Sequence, residues 1–229
     1  MKVVAIVPSA GSGKRLGCRR DKPFVKLRGK PILFYALKTL EDANFIDYVI
    51  LVVSFGRLKA AKRLVRKYRL AKVRAVIPGG RRRYDSVKNG LKRAGSADFV
   101  VIHDGVRPFA GRSLMRRVLS AARASGAALP AVPARQTLKS ISRNFFVKNT
   151  PERKNLWEAQ TPQVFRRRLI VEAYNKVKTR HATDDASLAE MLGHKVKIVK
   201  GSYRNIKITT PEDLELAKVL LKDANRHRV

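Results

Sequence analysis

The 229-residue chain has a single cysteine, Cys18, and one tryptophan. A lone cysteine makes no internal disulfide and no cysteine-built metal cluster, so the fold must rest on its core. Acid is scarce: 17 Asp+Glu stand against 51 Lys+Arg, a formal net charge of +34. No apolar run reaches the roughly 18 residues that span a bilayer. The first apolar run, Val3 to Val7, is too short for a signal-peptide core and leads into a glycine loop. There is no internal repeat and no low-complexity linker. What remains is a chain with 45% hydrophobic residues, ample for one core and too rich in Val, Ile and Leu for disorder. These features predict a soluble, cytoplasmic protein with one domain over 1–229.

A charge of +34 suggests nucleic acid as a partner. Its distribution argues otherwise. No acid lies between Asp47 and Asp85, nor between Asp104 and Glu152. The cations of the first interval alternate with Leu58, Ala61, Leu64 and Val65 at helical spacing. That pattern reads as the solvent faces of amphipathic helices in preference to a nucleic-acid surface.

Strand-like and helix-like segments alternate. Val3–Val7, Tyr48–Val53, Val73–Ile77, Phe99–His103 and Ala127–Val132 read as strands. Pro31–Ala43, Arg57–Tyr68, Tyr84–Ala94 and Ser113–Ser125 read as the intervening helices, the last closed by Gly126. This order predicts an α/β fold: a mainly parallel, Rossmann-like sheet with helices on both faces. Residues 134–158 break the rhythm. Gln136–Ser142 and Asn144–Lys148 alternate in polarity, as in a hairpin turning at Ser142-Arg143-Asn144. Such a hairpin would project as an arm, and a second subunit could cover its Phe145 and Phe146. Helices over Arg166–Val177 and Asp184–Leu192, strands over Val196–Val199 and Ile206–Ile208, and a helix from Pro211 complete the reading.

Three loops follow predicted strand ends, where α/β sheets bind ligands. The first is Pro8-Ser-Ala-Gly-Ser-Gly-Lys-Arg-Leu16. Its small residues, Ser9, Ala10, Gly11 and Gly13, let backbone N–H groups approach a phosphate chain, and Arg15 and Lys22 add fixed charge. It is neither a Walker loop, since Arg15 follows Lys14, nor a dinucleotide fingerprint, since Leu16 occupies the third glycine position. The second loop holds Gly79-Gly80, followed by Arg83 and Ser86. The third is His103-Asp104-Gly-Val-Arg107-Pro108.

These segments together resemble a known family. Ser9–Arg15 with Lys22 is similar to the signature of sugar-phosphate nucleotidyltransferases. Gly79–Val87 resembles their pyrimidine-binding segment, His103–Pro108 an HDxxRP segment, Leu156–Gln163 an LWxxxTPQ segment, Thr183–Ser187 a TDEAS segment, and Asn205–Leu214 an NIKVTxPEDL segment. Six pieces in the family's order, from Val3 to Leu214, point to the 2-C-methyl-D-erythritol 4-phosphate cytidylyltransferases of non-mevalonate isoprenoid synthesis.

The resemblance implies that the phosphate of an acceptor attacks the α-phosphorus of CTP and pyrophosphate leaves. Both reactants are anions, so catalysis requires cations that bind the transition state. Arg15 and Lys22 are implied as its stabilisers, with Mg²⁺ bridging the CTP phosphates. Gly79, Gly80, Arg83 and Ser86 are the implied cytosine readers, and Asp104 the carboxylate for the metal or ribose. Arg153 and Lys207 are expected to hold the acceptor phosphate, with Thr183 and Thr137 nearby. Family counterparts of Arg107, Thr137 and Arg153 reach the site from a partner subunit, which implies a homodimer. A pentitol phosphate such as ribitol 5-phosphate is an alternative acceptor, and an inactive basic nucleic-acid-binding protein an alternative of another class. The chain departs from the family pattern at Asp21 and Pro23, at Ser9 (where Ala is usual) and at Gly105-Val106 (where two alanines stand).

Overall fold

A computed structural model describes residues 1–11, 22–177 and 182–226. Strand β1 (Val3–Ser9) is buried on both faces, as suits a central strand. After a 3-10 turn over Lys22–Phe24 comes a short ribbon, β2 (Lys26–Leu27) and β3 (Lys30–Pro31). Helix α1 (Ile32–Glu41), β4 (Tyr48–Val53), α2 (Leu58–Lys67), β5 (Val73–Pro78), α3 (Arg83–Leu91), β6 (Phe99–Ile102), α4 (Arg112–Ser125) and β7 (Ala127–Pro133) continue the alternation. Gly126 closes α4 in the left-handed conformation, at φ 84°. The rest comprises β8 (Ser140–Ile141), β9 (Val147–Asn149), β10 (Trp157–Ala159), β11 (Gln163–Arg166), α5 (Arg167–Lys176), α6 (Asp185–Glu190), β12 (Lys197–Lys200) and α7 (Pro211–Arg226).

The main sheet runs β10-β7-β11-β6-β1-β4-β5, with β12 also paired to β7. β1 is parallel to β4 and β6, β5 to β4, and β12 to β7. The alternation of β1 splits the core into two layers. Val3, Ala5 and Val7 pack with Leu33, Leu37, Leu64 and Val118, from α1, α2 and α4. Val4 and Ile6 pack with Val87, Leu91, Ile170 and Leu188, from α3, α5 and α6. Helices therefore cover both faces. Among the described residues, no helix is long and apolar enough to cross a membrane.

Three expectations need correction. Ile206–Ile208 is not a strand; Ile208 N–H donates to Val106 O, 3.0 Å away, and Ile208 is buried against Leu27, Ile32 and α7. Burial of single side chains, not sheet pairing, explains its apolar alternation. The Trp157–Gln163 motif, given no secondary structure in the sequence reading, contributes β10 and β11, both antiparallel to β7. Their apolar runs are too short to signal a strand. The hairpin pairs only β8 with β9, and its turn is longer than expected, with Ser142 N–H donating to Phe146 O and Phe145 at φ 63°. Phe145 and Phe146 are 84% and 74% exposed.

Candidate active site

The ends of β1 and β6 and the loop between β5 and α3 line one cleft of about 560 Å³. That volume suits a nucleotide-sized ligand. Ser9, Ala10, Gly11 and Lys22 line it on one side, Gly80, Arg83 and Ser86 on another, and Asp104, Thr183 and Lys207 complete it. Residues far apart in sequence are thus brought together. Gly13 and Arg15 lie outside the described residues.

Gly79 is set by close packing. Its N–H donates to Val53 O at 2.7 Å, and a Cβ there would stand 2.6 Å from both Ala10 Cβ and Ser86 Oγ. Only glycine lets the first loop approach the start of α3 so closely. Ser86 is buried, and its hydroxyl accepts the Gly80 N–H at 3.2 Å. The Asp85 carboxylate accepts the Arg82 N–H at 3.0 Å and fixes the first turn of α3. The N-terminus of this helix, the positive end of its dipole, opens onto the cleft beside Arg81 and Arg82.

Asp104 is the electrostatic centre. Its Oδ1 accepts Arg83 Nε at 3.0 Å and its Oδ2 lies 2.8 Å from Lys207 Nζ. Burial opposes its ionisation, but the charges of Arg83 and Lys207 outweigh that penalty and hold the carboxyl well below the usual carboxylate range. Arg83 is itself committed: its second nitrogen reaches Asp185 Oδ2 at 2.7 Å. Asp185 is fully buried and also accepts Tyr174 O–H at 2.6 Å, while Gln163 Oε1 accepts the Asp185 and Ala186 N–H groups. The Arg83 guanidinium therefore serves as a brace between two carboxylates, although the side chain still faces the cleft.

His103 lies beneath this layer. Asp104 N–H donates to Thr161 Oγ1 at 3.1 Å, which leaves the threonine proton for His103 Nδ1 at 3.0 Å. Nε2 then donates to Arg107 O at 3.1 Å. Burial pushes the imidazole down to about 4, so the neutral ring positions Asp104 and is no base.

Arg107, expected as an acceptor-binding residue contributed to a partner's site, is engaged within its own chain. Its guanidinium donates to Asn205 O at 2.6 Å. It ties the loop carrying Lys207 to the loop carrying Asp104. Arg153 and Thr137 lie in the exposed arm segment, away from the cleft of their own chain; Arg153 donates to Arg135 O at 2.8 Å. The sequence reading missed Thr161, Asn205, Gln163 and Asp185 as supports. Each lies inside one of the motif segments, and that membership was the available signal, because their burial comes from tertiary packing.

Two of the departures from the family pattern fit each other. A Cβ at Gly105 would collide with Ser9 Oγ. The extra hydroxyl at position 9 and the missing methyl at 105 fill the same space.

A sequence model described as 2-C-methyl-D-erythritol 4-phosphate cytidylyltransferase matches residues 3–223. A protein of that name from Syntrophus aciditrophicus is 47% identical over 225 residues, covering 96% of each chain. One from Geotalea uraniireducens is 43% identical, covering 100% of both. Among solved structures, the 4-diphosphocytidyl-2C-methyl-D-erythritol synthase of Anaerococcus prevotii superposes with a TM-score of 0.84 at 34% identity, covering 96% of each chain. The cytidylyltransferase of Thermus thermophilus gives 0.79 at 32% identity, covering 97% of this chain and 100% of its own.

Proposed function

The chain belongs to the 2-C-methyl-D-erythritol 4-phosphate cytidylyltransferase family, and from that premise we propose how its cleft carries out the reaction. The enzyme joins CTP and 2-C-methyl-D-erythritol 4-phosphate. An oxygen of the acceptor phosphate forms a bond to the α-phosphorus of CTP. The bond from that phosphorus to the bridging oxygen breaks, and pyrophosphate leaves with the electron pair. The acceptor is already an anion, so no protein base is required.

The observation that carries this reading is the convergence of Lys22, Lys207 and the α3 N-terminus on one cleft around Asp104. Lys22 and Arg15 stabilise the charge that builds on the transferring phosphoryl group. Lys207, oriented by Asp104, holds the acceptor phosphate beside Thr183. Gly79, Gly80 and Ser86 form the surface against which cytosine is read, with Arg83 fixing its base.

The donor set fits a divalent cation held chiefly by the nucleotide. Asp104 is a carboxylate on the cleft and is kept ionised, while among the described residues no group of three His, Cys, Asp or Glu forms a protein cage. Mg²⁺ commonly binds through one carboxylate and substrate phosphates. Asp104 would hold it, and the ion would neutralise triphosphate charge.

The exposed arm supports a homodimer in which Arg153 and Thr137 enter the partner's site, and the near-absence of cysteine suits the cytoplasm. The test is pyrophosphate release from CTP with methylerythritol phosphate or ribitol 5-phosphate as acceptor. Turnover with the first is expected; turnover with ribitol phosphate alone would overturn the assignment.

A further inference from the structure

The reaction makes no use of α2. On this helix Lys59, Lys62, Arg63 and Arg66 recur at intervals of three and four, which places them on one stripe, and all four are exposed. The opposite side is anchored in the core by Ala61 and Leu64. Among the described residues, no carboxylate forms an ion pair with any of the four. Lys59 with Arg63, and Lys62 with Arg66, are like charges one turn apart. Each such pair costs an isolated helix about 0.2–0.5 kcal/mol. The acids nearest in sequence do not relieve it: Glu41 is taken by the Ala71 and Lys72 N–H groups, Asp47 by the Val3 N–H, and Asp85 by Arg82.

The stripe continues beyond the helix. Arg69 ends α2 in a left-handed conformation, φ 49°, and is exposed. At the other end, directly before α2, Phe55 is 79% exposed. A solvated phenyl ring at the head of a row of unpaired cations is what the composition of the segment did not reveal. Periodicity alone reads α2 as a solvent face; the uncovered ring and the missing counter-charges give that face a ligand chemistry.

We propose that Phe55 and the α2 stripe form a sequence-independent binding surface for single-stranded nucleic acid, with phosphates along Lys59, Lys62, Arg63 and Arg66 and one base stacked on Phe55. Cations that track a backbone, beside an aromatic that accepts any base face, are the recurring means of holding single strands. The stripe spans about 10 Å of helix at 1.5 Å per residue, enough for a few phosphates. A folded polyanion without free bases would use the cations and leave the ring idle.

The test is fluorescence anisotropy of a labelled 20-nucleotide mixed-sequence RNA with the full chain, across a salt series. Four phosphate contacts on a single strand give a log–log salt slope near −2.8, at roughly 0.7 per contact. Replacing Lys59, Arg63 and Arg66 with Gln should flatten the slope by about 2. Phe55→Ala should weaken binding about tenfold, or about 1.4 kcal/mol, with the slope unchanged. Lys197→Gln/Lys200→Gln, at the far edge of the sheet, removes charge without touching the stripe and should alter little. Cytidylyl transfer should be unchanged in all three variants. Equal loss in the β12 control would overturn the proposal, because net charge alone would then explain binding. So would an inert Phe55→Ala, displacement of the RNA by saturating CTP, or tighter binding to anionic phospholipid vesicles than to RNA.

Discussion

Ser9 and Gly105 share one small volume at the floor of the cleft. The Ser9 hydroxyl is buried, has no hydrogen-bond partner among the described residues and occupies the space that a Cβ at 105 would take. Gly105→Ala alone should therefore overpack the site, at about 1–3 kcal/mol. For a chain of this size that lowers Tm by a few degrees. Ser9→Ala/Gly105→Ala should recover most of the loss. A thermal-denaturation cycle measures the coupling, and strict additivity would show that the two positions do not compensate.

The cations on the cleft should act chiefly in the transition state. Lys22→Ala is expected to lower kcat about 10²–10³-fold with a much smaller change in KM for CTP. Lys207→Ala should raise KM for the acceptor as well, since the role proposed for its ammonium, oriented by Asp104, is to hold the acceptor phosphate. Initial-rate kinetics with both substrates varied separates the two; an unchanged kcat in Lys22→Ala removes that residue from its role.

His103 gives the fold an acid-sensitive component. An imidazole in the unfolded chain takes its proton near 6.5, whereas burial holds His103 down to about 4. Between those values the unfolded state binds a proton that the native state does not, so stability falls as pH drops from 6.5 toward 4 and levels off below. The full step is roughly 3 kcal/mol. Asp104, whose folded-state pKa is lowered, adds a separate loss only below the ordinary carboxylate range. Urea denaturation in metal-free buffer at pH 7 and 4.5, for the native chain and His103→Gln, checks this; the step should shrink in the variant.

The arm should be worth more to the assembly than to the fold. Phe145→Ser/Phe146→Ser changes residues that are 84% and 74% exposed, so Tm of the isolated chain should move little. Sedimentation should shift toward monomer, and activity should fall with it, because in the proposed dimer Arg153 acts in the partner's cleft. A fully active monomer would sink the shared site.

Much of the fold was legible locally. β1 reads as a central strand because five apolar residues in a row need cover on both sides, and Gly126 ends α4 because the chain there needs positive φ. The place of Ser9–Gly11 and of Gly80 on the cleft, and the close packing at Gly79, follow from small residues at strand ends. β10 and β11 were not legible, since three or four residues gain strand geometry only from pairing with β7.

The composition and motifs by themselves determined an α/β nucleotidyltransferase with cations around an anionic substrate. Tertiary structure alone decided what each charge does. Arg83, which by its motif reads cytosine, spends its guanidinium on Asp104 and Asp185. Arg107 turns inward to Asn205. The α2 cations, identical in kind, meet no carboxylate among the described residues. A charge acquires a role from the partner within about 3 Å, and sequence spacing does not encode which distant residue that will be.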